Sequence, residues 1–217
     1  MSDPILVIGN KNYSSWSLRP WLLMKVAGIP FQEVRIPLYT PASTPEILRY
    51  SPSGRVPCLV DGSIRVWDSL AICEYQAESH RNLWPESPSA RAQARSISAE
   101  MHSGFAALRE HMSMNCRKRH PGKGRTPEVL EEIRRIVTMW RECRERYAGN
   151  GEFLFGRFSI ADAMYAPVVL RFRTYDVELP RACRAYADEM LALPAMKEWL
   201  AAAERETETI PKFEMYG

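Results

Sequence analysis

The chain is short of several features that would narrow its role at once. It has 5 cysteines in 217 residues, at Cys58, Cys73, Cys116, Cys143 and Cys183, never spaced as Cys-x-x-Cys. A disulfide framework or a zinc site is therefore not expected, and this usage suits a reducing cytoplasm. Histidine is scarce, at 4 residues. His102 and His111 on one helix would face opposite sides and make poor joint metal ligands. No sign of charge dominates: 29 basic against 26 acidic residues leave a net +3, too balanced to argue for nucleic acid. No apolar run approaches the roughly 18 residues of a membrane span. The opening MSDPILVIGNKN lacks the basic start and long apolar stretch of a secretory signal, so none is expected. Internal repeats and low-complexity segments are also missing. What remains is a globular composition, 46% hydrophobic and 25% charged, sufficient for one large domain or two small ones.

The first eighty residues alternate strand and helix patterns. Ile5 to Ile8 is a continuous apolar run, predicted to be a buried central strand. From Ser15 or Trp16 to Ala27 the pattern is helical, with Leu18, Trp21, Leu22 and Val26 on one face and Gly28 as the terminator. Phe31 to Ile36 alternates as a strand. A proline-rich loop follows, and Thr44-Pro45 is predicted to open a short helix, with Thr as cap and Pro in its first turn. Then comes SPSGRVPCLVDGSIRVWDSLAI, from Ser51 to Ile72. Asp61-Gly62 between two apolar runs signals a hairpin, because Gly supplies the positive φ that the turn needs. Asp68 and Ser69 fall where the second strand gives way to a helix. A helix N-terminus favours a carboxylate, and Asp68 beside it suits an ammonium group. The α-amino acid end of a ligand carries both.

Beyond His80 no convincing strand appears. Leu83 to Pro88 reads as a linker. Ser89 to about Cys116 is predicted as one helix, with Ile97, Met101, Phe105 and Leu108 at helical spacing. The basic stretch from Arg117 to Arg125 reads as a solvated loop. Thr126-Pro127 opens a second long helix through Tyr147, with Leu130, Ile133, Val137 and Trp140 on one side. Ser159 to Asp162 is a capping box with Asp in place of the usual Glu. It leads an apolar run through Phe172, predicted to be a central buried helix kinked at Pro167. Helices near Arg181 to Ala192 and Pro194 to Glu206 complete the chain. The expected architecture is an α/β domain over 1–80, a linker over 81–90 and an all-α domain over 91–217.

This order, with four local features, resembles the cytosolic glutathione S-transferases of serine type, close to the zeta and tau classes. The features are Ser14-Ser15-Trp16-Ser17-Leu18-Arg19, Arg55-Val56-Pro57, Asp68-Ser69 and the Ser159 to Asp162 box. The resemblance implies a thioredoxin-like N-terminal domain holding glutathione as co-substrate, and an all-α domain lining the site of a hydrophobic electrophile. It implies no metal, no nucleic acid and no membrane, and a homodimer pairing the first domain of one subunit with the helical domain of the other. Pro57 would be cis, turning the backbone of Val56 toward the cysteinyl part of glutathione. Asp68 and Ser69 would hold the γ-glutamyl ammonium and carboxylate. Arg55 would meet a glutathione carboxylate or carbonyl. The loop from Leu38 to Thr44 has no basic residue where the family often holds the glycine carboxylate, which leaves Arg55 or Arg49 for that contact.

Glutathione transfer needs a thiolate. Lowering a thiol pKa by ~2 units takes roughly 2.7 kcal/mol, and one charge-assisted hydroxyl bond supplies ~1.5–3 kcal/mol. In the serine classes the activating Ser lies five residues before an Arg. Counting back from Arg19 gives Ser14, with Ser15 in reserve and Tyr13 as a further hydroxyl; a serine cluster at this place also caps helices. No Cys lies in this window, which argues against a thiol transferase working through a mixed disulfide. Met101 and Phe105 are the candidates for the electrophile pocket, on a helix pattern that otherwise reads as core. Cys58 reads as a small buried residue. Three functions follow: a glutathione transferase, a maleylacetoacetate-type isomerase, and a non-catalytic binding module. Trp16 stands where the isomerase class has Cys.

Overall fold

The structure is a computed structural model and describes residues 3–216. Its first unit runs β1 (Ile5–Ile8), α1 (Ser15–Val26), β2 (Gln32–Arg35), α2 (Ser43–Leu48), β3 (Cys58–Asp61), β4 (Ile64–Val66) and α3 (Ser69–Ser79). The sheet order is β2-β1-β3-β4. β1 is parallel to β2 and antiparallel to β3, and β3 is antiparallel to β4. The continuous apolar sequence of β1 follows from this interior position, where both faces are covered. Leu6 and Ile8 point into the main core, whereas Val7 joins Ile36, Ile47, Cys58 and Val60 in a smaller cluster on the other face. The Asp61-Gly62 turn forms as expected, with Gly62 at φ 56°. α2 starts earlier than the sequence suggests. Ala42 occupies its cap position, and the Ser43 hydroxyl fastens the preceding loop by donating to the Pro37 carbonyl at 2.6 Å.

The helical unit comprises α4 (Pro88–Ser103), α5 (Ala106–His111), α6 (Pro127–Cys143), α7 (Ile160–Tyr175), α8 (Arg181–Ala192) and α9 (Pro194–Glu204). The single helix expected up to Cys116 is broken. Gly104 is extended, and Phe105 adopts a left-handed conformation with φ 59°. Two side chains compensate the broken ends. Arg109 Nε donates to the Gly104 carbonyl at 2.9 Å, and Glu132 accepts from the N–H groups of Ala107 and Leu108. These are the free backbone groups that a helix end leaves. The buried face of α6 is also turned from the expected one. Val129, Ile133, Ile136, Met139 and Trp140 face inward, while Leu130 is 40% exposed. α6 continues as a π-helical turn from Arg144 to Ala148.

The capping box forms. Asp162 accepts from the Ser159 N–H at 2.9 Å and the Ser159 hydroxyl at 3.0 Å, and also from the Leu154 N–H at 3.1 Å. Every residue of α7 except Arg173 is buried, and the helix runs unbroken through Pro167. One core joins the two units: Leu18 and Leu22 of α1, Ile97 and Met101 of α4, and Tyr165 and Val169 of α7 belong to it. The segment between α3 and α4 is docked onto this core. Leu83 and Trp84 are buried, the Leu83 carbonyl accepts from Ile160, and the Trp84 indole donates to Glu74.

Candidate active site

The N-terminus of α1 brings the serine cluster to a cleft. Ser14 is the N-cap of α1, accepting from the Ser17 N–H at 3.4 Å and donating its own proton to the Ser17 hydroxyl at 2.7 Å. Ser17 is fully buried and also accepts from the Gly9 N–H, tying α1 to the end of β1. The Ser15 hydroxyl has no hydrogen-bond partner among the described residues. Ser14 and Ser15 both line a cavity of 580 Å³. Tyr13 lines it too, but its hydroxyl is committed. It donates to Glu214 at 2.5 Å and accepts from Arg117 at 3.0 Å. Burial, and then the bond to Glu214, raise its pKa, which suits a structural tie better than thiol activation.

A second cavity, of 560 Å³, adjoins the first along Trp16, Arg55 and Val56. The Val56–Pro57 bond is cis, and so is the Trp67–Asp68 bond. Val56 precedes β3, and its backbone N–H and C=O bond to no other group among the described residues. Across the cavity stand Asp68 and Ser69. Asp68 caps α3, accepting from Leu70 and Ala71 with Oδ1 at 3.1 and 3.4 Å. Its Oδ2 lies 3.0 Å from His102 Nε2. Ser69 is buried and accepts a long bond from Arg19. Thus Arg55, Val56, Pro57, Asp68 and Ser69 come together in one cavity, and Ser14 and Ser15 in the other. Arg55 is exposed and reaches both cavities, whereas Arg49 lines neither.

Met101 and Phe105, expected at the electrophile pocket, line neither cavity. Both are buried in the shared core. Met101 lies on the packed face of α4, and the break at Gly104 carries Phe105 inward. The wall is made instead by Arg109, Met114, Arg171 and Phe213, together with Leu38 and Tyr39.

Several residues of the site had no motif to announce them. His102 brings α4 into the second cavity and packs edge-on to Trp16 at 5.2 Å. Trp16 lies between two guanidinium groups, Arg19 at 4.4 Å and Arg109 at 4.8 Å. The available signal was an arginine, Arg171, inside an otherwise apolar run. A cation there must be buried or placed at a cavity. Among the described residues, no group of His, Cys, Asp and Glu side chains is arranged to hold a metal ion. All five cysteines are free and buried, Cys58 among them. No helix among these residues is long and apolar enough to cross a membrane.

An α/β unit of thioredoxin type, fused to a helical bundle and sharing with it a two-part cleft, defines the class of this protein. Comparison with known proteins gives the family. The description "Glutathione S-transferase, N-terminal domain" matches residues 13–79, and "Glutathione S-transferase, C-terminal domain" matches residues 91–202. The chain belongs to the glutathione S-transferase family. It is 25% identical to a probable maleylacetoacetate isomerase of Caenorhabditis elegans, over 81% of this chain and 82% of that protein. It is 27% identical to glutathione S-transferase T1 of Arabidopsis thaliana, over 71% of this chain and 67% of that protein. Its fold is similar to that of a glutathione transferase homolog from Burkholderia gl BGR1 with bound glutathione. The TM-score there is 0.70 at 19% identity, covering 94% of this chain and 100% of that one.

Proposed function

We propose that the protein is a glutathione transferase that joins the glutathione thiolate to a small, largely apolar electrophile. The observation that carries this reading is the meeting of two cavities at Val56 and Trp16. Val56 offers a free backbone N–H and C=O to the cysteinyl part of glutathione. Asp68 and the N-terminus of α3 suit the γ-glutamyl ammonium and carboxylate. The thiol then lies toward Ser14, at the N-terminus of α1. Ser14 donates to Ser17 in the free site, but a thiolate is a stronger acceptor than a neutral hydroxyl. Rotation of the Ser14 hydroxyl would move its proton onto the sulfur, and the helix dipole adds to this stabilisation. Calorimetric binding of glutathione, followed by conjugation of a model aryl halide, tests the reading. Absence of both would overturn it.

The relationship to the probable isomerase of C. elegans supports a second reading, glutathione-dependent cis–trans isomerisation. Incubation with a maleyl diketo acid and glutathione decides it. We further propose a homodimer working in a reducing compartment. The exposed apolar side chains of Ile64 and Trp67 on the sheet edge and the five free thiols support these readings.

A further inference from the structure

The larger cavity carries a charge imbalance. Arg55, Arg109 and Arg171 line it, and no aspartate or glutamate does. None of the three forms a salt bridge among the described residues. Arg171 is only 5% exposed. Its Nη1 donates to the Met112 carbonyl, and its other nitrogens have no acceptor among the described residues. Arg109 donates from Nε to the Gly104 carbonyl and from Nη2 to the Met101 and His102 carbonyls, which leaves its charge unneutralised and its Nη1 hydrogens without an acceptor among the described residues. Arg19 stands behind Trp16, fully buried, with Nε and Nη2 unpartnered.

A cation removed from water costs several kcal/mol unless an opposite charge faces it. Burial, and next the charge of Arg109, push Arg19 down to about 9 and Arg171 down to about 10. Glu132 acts on Arg109 and Asp68 on Arg19 through space, but neither forms an ion pair with these groups or lines the larger cavity, so the cavity is where a compensating anion can enter. We propose that the second substrate is an electrophile bearing a carboxylate, which seats against Arg109 and Arg171 while the rest of the molecule lies along Trp16 and Phe213. This rests on the transferase reading and adds the charge of the substrate to it. The carboxylates of glutathione do not account for the pair. Arg109 and Arg171 belong to the helical wall, whereas the proposed glutathione contacts and Arg55 lie on the thioredoxin-like side.

The test compares a chlorodinitrobenzene with its ring-carboxylated analogue. In both, the sulfur forms the new carbon bond as chloride leaves. Each kcat/KM is divided by the uncatalysed rate with glutathione. The carboxylated substrate is expected to be favoured roughly 10- to 100-fold, the worth of one charge-assisted pair. Arg171→Met removes the preference and Arg171→Lys retains part of it, while the KM for glutathione stays within about twofold. Equal use of the two substrates by the unaltered protein overturns the proposal. So does an Arg171→Met variant whose KM for glutathione rises as much as that for the analogue. The comparison on the unaltered protein stands even if Arg171→Met does not fold. Calorimetry with maleate alone separates this idea from the transferase reading. If neither aryl chloride is conjugated, that reading falls, while maleate binding weakened by Arg171→Lys still supports the arginine site. If maleate does not bind the unaltered protein, the arginine site falls as well.

Discussion

Ser14 has two uses for its one proton, the bond it donates to the Ser17 hydroxyl and, by our reading, a bond to the glutathione sulfur, while its cap of α1 uses the oxygen as acceptor. Ser14→Ala is therefore expected to raise the pKa of the bound thiol by about 1–2 units and lower kcat/KM near neutral pH roughly 10- to 100-fold. Ultraviolet titration of the bound thiolate reads the first effect, and initial rates read the second. Ser15→Ala should leave both within about twofold; the reverse outcome would move the role to Ser15, whose hydroxyl is unpartnered. At the other end of the cleft, Asp68 faces His102 at 3.0 Å. Asp68→Asn is expected to weaken glutathione binding roughly tenfold by removing the charge that meets the ammonium. His102→Phe should raise the KM for glutathione with little change in kcat, since His102 acts by holding Asp68. A fall confined to kcat would refute that role.

Among the elements, α7 shows how a short motif fixes a long helix. Asp162 is fully buried, and burial pushes its pKa up to about 6 against three hydrogen bonds. The unfolded carboxyl titrates near 3.9, so the folded state holds the proton more tightly. This group therefore favours folding most below about pH 4, and the advantage is lost as the pH rises through about 6. The unfolding free energy of the protein relative to an Asp162→Asn variant should fall by about 2 kcal/mol from pH 4 to 7. Urea titrations across that range measure it, and a flat difference would refute the shift. The box was legible in the sequence because it is local. The break at Gly104 was not: the apolar spacing runs straight across it, and the groups that stabilise the broken ends, Arg109 and Glu132, are recognisable only once α5 and α6 are packed. Leu130 was misplaced for a related reason. Its spacing fits a helix face, but the neighbouring elements cover the face set by Val129 and Ile136 instead.

For the whole molecule, the first question is association. Ile64 is 48% exposed and Trp67 46% exposed on the edge of the sheet. If that edge is covered by a second copy, Ile64→Glu should convert a dimer to a monomer in sedimentation velocity and leave the far-ultraviolet spectrum unchanged. A protein that sediments as a monomer from the outset contradicts the homodimer reading.

The meeting of Val56, Asp68 and Ser69 was implied by the family resemblance alone; the sequence by itself determined the two-unit order, the central strand, the hairpin and the caps of α3 and α7. Each depends on residues near one another in the chain, where periodicity and capping chemistry act. Only the tertiary structure decided the far wall. It withdrew Met101 and Phe105 into the core, and brought Arg109, Arg171 and Phe213 from three separate elements to face Ser14. Those residues meet because α1 packs on α7 and the C-terminal segment folds back over Tyr13. No spacing along a single segment records an encounter between side chains so far apart in the chain.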